Sequence, residues 1–252
     1  MRLLVLDIET RPNLAYVWGL WNQNVNIQLI KEEASMLCWA AKWVGKHKVT
    51  FRSVHSDGKE DMLQDLWGML NEADAVIHFN GKRFDIPHIN REFFEAEMDP
   101  PSPYKQIDLL ATARKRFKFP SNKLEFIVNT IGIGEKLKHE GFDLWVRCMA
   151  GEESAWKLMR QYNIHDVALT ELLYERLKPW LYNVPSFAAY AQKRICPACG
   201  SESLQSRGFA YTQQSKYRRY QCTDCGKWSR DTQVFKDKDG KVQTIDIREV
   251  AD

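Results

Sequence analysis

The stretch Met1-Arg-Leu-Leu-Val-Leu-Asp-Ile-Glu-Thr10 decides what kind of fold this is. Its apolar run, Leu3 to Leu6, reads as a buried strand, and Asp7 and Glu9 come at its end. Residues two apart on a strand share a face, about 6.5 Å apart along the chain. Two carboxylates aimed together from a core strand repel each other and resist desolvation unless a cation lies between them. A strand end passing into a solvated turn would carry the same acids with no such need. Carboxylates arriving downstream in suitable contexts decide between the two.

The 252 residues are enough for one large domain and a small one, and a charged fraction of 27% is ordinary for a soluble globular protein. Arg2 and Leu3 to Leu6 could suggest a signal peptide, but Asp7 and Glu9 cut the apolar run short. Met36 to Val44 is interrupted by Lys42 and is too short to span a bilayer. The expectation is a cytoplasmic protein with no membrane anchor, of bacterial or phage type.

Cys38 and Cys148 stand alone in apolar segments and read as reduced core residues. The other four cysteines form two pairs, Cys196-Pro-Ala-Cys199 and Cys222-Thr-Asp-Cys225, which in a cytosolic chain argue for metal rather than disulfides. Between Ala191 and Arg230 eight basic residues face two acidic ones, a net +6. The whole chain carries +3, so the remainder carries −3. A mildly acidic body with a basic appendage suggests that the appendage meets a polyanion.

Arg11 to Glu33 is polar and aromatic without a clear period, and Trp18 and Trp21 are expected to pack over the sheet rather than stack on bases. Ser35 to Val44 and Lys48 to Val54 read as paired strands about Gly45, Lys59 to Leu70 as a helix, and Ala75 to Phe79 as a short buried strand. The last runs into the turn dipeptide Asn80-Gly81, so Asp85 sits at a strand-to-helix junction, where a helix-capping acid is the plain alternative. Ile107 to Leu110 starts a helix capped by Asp108, Leu124 to Ile133 is another, and Glu153 to Leu177 reads as one long helix. Gly132-Ile-Gly134 lacks the third glycine of a dinucleotide loop. Tyr162 and Asp166, four apart, share a helix face. The plan is α/β, a mixed sheet covered by helices.

Together, Asp7-Ile-Glu9, Asn80-Gly-Lys-Arg-Phe-Asp85 and Tyr162-Asn-Ile-His-Asp166 resemble the three motifs of the DEDD superfamily of 3′→5′ exonucleases, which share the RNase H-like fold with polymerase proofreading domains. Leu124-Glu125 and Gly132 to Lys136 also look like the segment before the last motif of proofreading-type members. The histidine branch would carry its histidine at position 161, which is Gln161. Tyr162 is present instead, so the chain resembles the tyrosine branch. His165 lies about 100° around the helix from Asp166 and off its face.

The resemblance implies two Mg²⁺ or Mn²⁺ ions, with Asp7 bridging both, Glu9 and Asp166 completing one site, and Asp85 holding the second through water. It also implies that Tyr162 orients the attacking water, and that Thr10, Asn80 and Phe84 contact the nucleic acid. The two cysteine pairs read as a zinc ribbon binding one Zn²⁺, with twenty-two residues between Cys199 and Cys222 for a hairpin. In it Tyr211, Tyr217, Tyr220 and Trp228 interleave with basic residues, Arg218 and Arg219 among them, as suits single-stranded nucleic acid. Docking to a replisome or polymerase is the competing use of the ribbon.

The expected organisation is an RNase H-like exonuclease domain over 1–178, a linker over 179–194, a zinc ribbon over 195–232 and a tail or hairpin over 233–252. The expected activity is metal-dependent 3′→5′ removal of mononucleotides from single-stranded or frayed DNA in replication or repair. The same chemistry on RNA, a structure-specific endonuclease and a non-catalytic nucleic-acid-binding protein are the alternatives.

Overall fold

The computed structural model describes residues 1–182, 184–191, 193–236 and 239–242. Met1–Glu175 and Arg176–Asp252 form two compact units.

In the first unit, strand β1 (Leu3–Thr10) occupies the centre of a five-stranded sheet. The short strands β2 (Leu14–Ala15) and β3 (Ile30–Glu32) pair with each other away from that sheet. Strands β4 (Met36–Trp43) and β5 (Val49–Ser53) form an antiparallel hairpin, and Gly45 supplies a positive φ of 77° in the turn. Helix α1 (Lys59–Asn71) leads to β6 (Ala75–His78), then α2 (Asp85–Glu95) and β7 (Lys105–Asp108). The sheet order is β5-β4-β1-β6-β7; β1 pairs antiparallel with β4 and parallel with β6, and β6 pairs parallel with β7. The sheet is therefore mixed, with its apolar first strand in the middle. Helices α3 (Leu109–Arg116), α4 (Leu124–Thr130), α5 (Asp143–Met149) and α6 (Glu153–Leu177) follow.

The twofold alternation of β1 sorts its side chains between two cores. Leu4, Leu6 and Ile8 join Met62, Leu63, Leu66 and Leu70 of α1 and Ile86, Ile89 and Phe93 of α2. The opposite face of the sheet, through Leu37 and Cys38, packs on Leu144 and Cys148 of α5 and Ala155, Trp156, Met159 and Tyr162 of α6. Asp7 and Glu9 belong to this second face. In the β1–β4 register Ala40 stands opposite Asp7 and Cys38 opposite Glu9, so small side chains leave room beside both acids.

Three features depart from the sequence expectations. Strand β7 was not anticipated, because Lys105-Gln106-Ile107 has a single apolar residue and pairs at the sheet's edge. Helix α5 was also missed; only Leu144 and Cys148 of its seven residues are buried, too few for a visible period. The packing expected of Trp18 and Trp21 is wrong: they are 96% and 84% exposed.

In the second unit, β8 (Leu204–Tyr211), β9 (Lys216–Cys222) and β10 (Trp228–Arg230) form an antiparallel sheet of order β10-β9-β8. Lys236 bridges Val242 across Asp239-Gly240, the start of the expected hairpin; 237–238 and 243–252 lie outside the described residues.

Candidate active site

Three elements converge where β1 leaves the core. β1 brings Asp7 and Glu9, and α6 brings Tyr162, Asn163 and Asp166. One carboxylate oxygen from each of Asp7, Glu9 and Asp166 lies within 4.8 Å of the others. Asp85, the first residue of α2, is outside that trio but is fastened beside it: the Ile8 amide donates to its Oδ1 at 3.2 Å. The loop that delivers Asp85 is tight. Asn80 adopts a positive φ of 72°, and its amide donates to Asp108 Oδ1, which also caps α3 through the Leu110 and Ala111 amides.

The charges in this cluster are in conflict. Burial, then repulsion from Asp85, Glu9 and Asp166, raises the Asp7 carboxyl well above the usual range. Burial and the Asp166 charge push Glu9 up to about 8. Burial pushes Asp85 up to about 7, although its own amide and that of Ile8 resist the shift. Asp166 is raised by burial and partly relieved by Lys136. Four acids that resist ionising together, in a site open enough to leave Asp7 and Glu9 half-buried, form a donor set that a cation would satisfy. Asp166 Oδ1 is buried and lacks a hydrogen-bond partner among the described residues, which fits a ligand atom.

Sequence reasoning missed three contributors. Lys136, before α5, donates from Nζ to Tyr162 Oη at 2.9 Å and to Asp166 Oδ2, with Nζ 4.9 Å from the centre of the Tyr162 ring. Burial alone would lower its pKa, but Asp166 and Tyr162 outweigh burial and hold it charged. Asn163 is fully buried and donates from Nδ2 to Asp7 Oδ2 at 2.7 Å. The Trp145 side chain of α5 works against the rise of the Glu9 pKa. Asn163 stood inside the quoted motif and Lys136 at the end of the quoted Gly132–Lys136 stretch, but neither spacing announces a contact.

His139, Trp145 and Tyr162 meet edge to face, with centroids 4.8–6.0 Å apart. Beside them Thr10, Pro12, His139, Gly141, Phe142 and Trp145 line a cavity of about 400 Å³. Thr10 therefore borders the site. Phe84 is 41% exposed and packs edge-on against His88. His165 turns away to the Glu135 carbonyl, 2.6 Å distant, as its helix position required.

In the second unit, Cys196, Cys199, Cys222 and Cys225 bring their sulfurs within 4.8 Å of one another, with pairs at 3.6 and 3.7 Å. A disulfide needs about 2.05 Å. A tetrahedron of four sulfurs about 2.3 Å from an ion has edges of about 3.8 Å, so this four-cysteine cluster is compatible with a zinc ribbon. Its two knuckles match: the Gly200 and Gly226 amides donate to the Cys196 and Cys222 carbonyls, and both glycines have positive φ, 78° and 77°. Burial works against ionising Cys222, yet the Cys225 and Asp224 amides bring its thiol down to about 7.

Arg218 and Arg219, both expected to contact nucleic acid, project from opposite faces of the ribbon sheet. Arg218 lies over Phe209 and Phe235, and Arg219 over Trp228. Along a regular strand such neighbours point to opposite faces. Tyr220 is 7% exposed, so it too is unavailable as a stacking surface.

The chain belongs to the RNase H superfamily, whose family model matches residues 4–178. Among solved structures, the family B DNA polymerase of the hyperthermophilic archaeon Pyrobaculum calidifontis shares the fold with a TM-score of 0.53 at 16% identity. That likeness covers 71% of this chain and 24% of the polymerase chain. No curated protein matches the sequence. Family and fold together support a nuclease, with an acidic cluster and a cluster of four cysteines that could each hold metal. Among the described residues, no helix is long and apolar enough to cross a membrane.

Proposed function

We propose that this protein is a 3′→5′ exonuclease of the tyrosine branch, removing mononucleotides from single-stranded or frayed DNA ends in replication or repair. The observation that carries the reading is the convergence of Asp7, Glu9 and Asp166, each with a raised pKa, beside Asp85 and Tyr162. Carboxylate oxygens are ligands for hard cations. Asp7, Glu9 and Asp166 would hold one Mg²⁺ or Mn²⁺, and Asp7 with Asp85 a second. Such ions make water nucleophilic at neutral pH and stabilise the charge on the leaving oxygen.

The chain's own groups do the positioning. Asn163 fixes the Asp7 carboxylate from behind, and the Ile8 amide does the same for Asp85. The cavity beside Thr10 and Trp145 suits the terminal nucleobase by size and by its aromatic wall. Water attacks the last phosphodiester; the bond to the 3′ oxygen breaks, leaving a shortened chain with a 3′-hydroxyl and a 5′-mononucleotide. Tyr162 cannot serve as the general base, because burial and the neighbouring acids raise its pKa further above 10. Its hydroxyl orients the water instead, and Lys136 holds that hydroxyl.

The test is the rate of mononucleotide release from a single-stranded DNA oligonucleotide. Asp7→Ala should abolish release, whereas Tyr162→Phe should slow it by about 10- to 100-fold. Equal losses would contradict the assigned roles.

A further inference from the structure

We propose that one face of the ribbon sheet, formed by Tyr217, Arg219 and Gln221 of β9 with Trp228 and Arg230 of β10, is a binding surface of the second unit for single-stranded polynucleotide. The register places these side chains together. Trp228 stands opposite Gln221, and Arg230 opposite Arg219. The guanidinium of Arg219 lies 4.7 Å from the centre of the Trp228 ring, and that of Arg230 lies 3.8 Å from the centre of Tyr217.

Two arginines directly across an antiparallel pair repel each other, and a sheet selected for stability alone would place an acid there. Among the described residues, neither Arg219 nor Arg230 has a carboxylate partner. Other ribbon cations do meet carboxylates, Lys193 with Glu202 and Arg194 with Asp231. The two guanidinium groups lean apart, Arg219 over Trp228 with its Nε donating to the Arg207 carbonyl and Arg230 over Tyr217, so their uncompensated charges are spaced along the sheet as successive phosphates are along a strand. A polyanion is the natural class, since this segment carries the chain's positive excess.

The aromatic partners narrow the ligand to one with exposed bases. Trp228 is 46% exposed and Arg219 is exposed above it, so ring and guanidinium present a stacked π surface at the edge of the sheet. Unpaired bases stack on such platforms, whereas bases in a duplex already stack on one another. The opposite face is built differently, and its exposed ring, Tyr211, stands across from Lys216 rather than beneath an arginine. There Phe209 and Phe235 pack against each other beneath Lys216 and Arg218, and Tyr220 is buried. Stacking and phosphate contact are indifferent to the 2′-hydroxyl, so DNA and RNA should bind alike.

The surface is tested by fluorescence anisotropy on the full zinc-loaded chain, with fluorescein-labelled single-stranded DNA and RNA oligonucleotides. Mg²⁺ and Mn²⁺ are left out, so binding is read apart from cleavage. Arg219→Ala should weaken binding and reduce the slope of log affinity against log salt by about one. Trp228→Ala should weaken it by about 5- to 100-fold, with Trp228→Phe restoring most of the loss. Arg218→Ala, on the opposite face, should change affinity less than about twofold. Zinc content by mass spectrometry shows that each variant retains its ribbon. Unchanged affinity in Arg219→Ala and Trp228→Ala with full zinc overturns the proposal and leaves the face to a protein partner. Equal losses in Arg218→Ala and Arg219→Ala overturn it in favour of diffuse charge.

Discussion

At the scale of single residues, the acidic cluster trades stability for ligand capacity. Asp7 is held among three other acids, so removing its charge should relieve repulsion while destroying function. Asp7→Asn keeps an acceptor for Asn163 and should raise the melting temperature of the chain without added divalent ion, while abolishing cleavage. A lower melting temperature would mean that Asp7 is not strained. Lys136 is an internal cation on Asp166 and competes with any divalent ion there. Calorimetric titration of Lys136→Met should therefore show tighter Mn²⁺ binding than wild type, with slower turnover because Tyr162 loses its anchor. Weaker Mn²⁺ binding would contradict that placement. Asp7, Glu9, Asp166 and Tyr162 were legible because motif spacing on a strand and a helix fixes which side chains face together. Lys136 and Trp145 were not, since loop and short-helix contacts depend on tertiary packing that no period encodes.

At the scale of elements, the site depends on how β6 hands the chain to α2. Gly81 sits against the fully buried ring of His78; a Cβ there would lie 2.5 Å from Cγ of that ring. The ring cannot retreat, so Gly81→Ala should displace the loop that carries Asp85, lowering stability and cleavage together by chemical denaturation and rate assays. Wild-type cleavage in that variant would show that the loop position is not critical. Asp108→Ala removes the α3 cap and the anchor of the Asn80 amide, and should cost about 1–2 kcal/mol. The long elements were readable: Glu153 to Leu177 is one helix as its pattern implied, and β1 announced itself by a continuous apolar run. Strand β7 and helix α5 were hidden because their burial is supplied by neighbours. On the ribbon, the period of two sends Arg218 and Arg219 to opposite faces.

For the whole molecule, the raised carboxyl pKa values set the pH dependence of folding. Glu9 titrates at about 8 and Asp85 at about 7 in the fold, against roughly 4 for unfolded carboxyls. Between those limits the folded chain keeps protons that the unfolded chain has released, so stability falls as pH rises from about 4.5 to about 8. On the proposed function, a divalent ion would take over the role of the protons. Melting curves of the zinc-loaded chain without Mg²⁺ or Mn²⁺ should therefore drop across this range, and added Mn²⁺ should raise the melting temperature more at pH 8 than at pH 6. A flat or rising profile without divalent ion would contradict the electrostatic picture of the cluster.

The central claim is directional, metal-dependent hydrolysis, and a time course on a 5′-labelled single-stranded DNA oligonucleotide tests it most directly. With Mg²⁺ or Mn²⁺ the label should pass through a ladder of products shortening one nucleotide at a time from the 3′ end. No ladder should form without divalent ion or with Asp7→Ala. Internal cuts without a ladder, or shortening that persists in Asp7→Ala, would contradict the account.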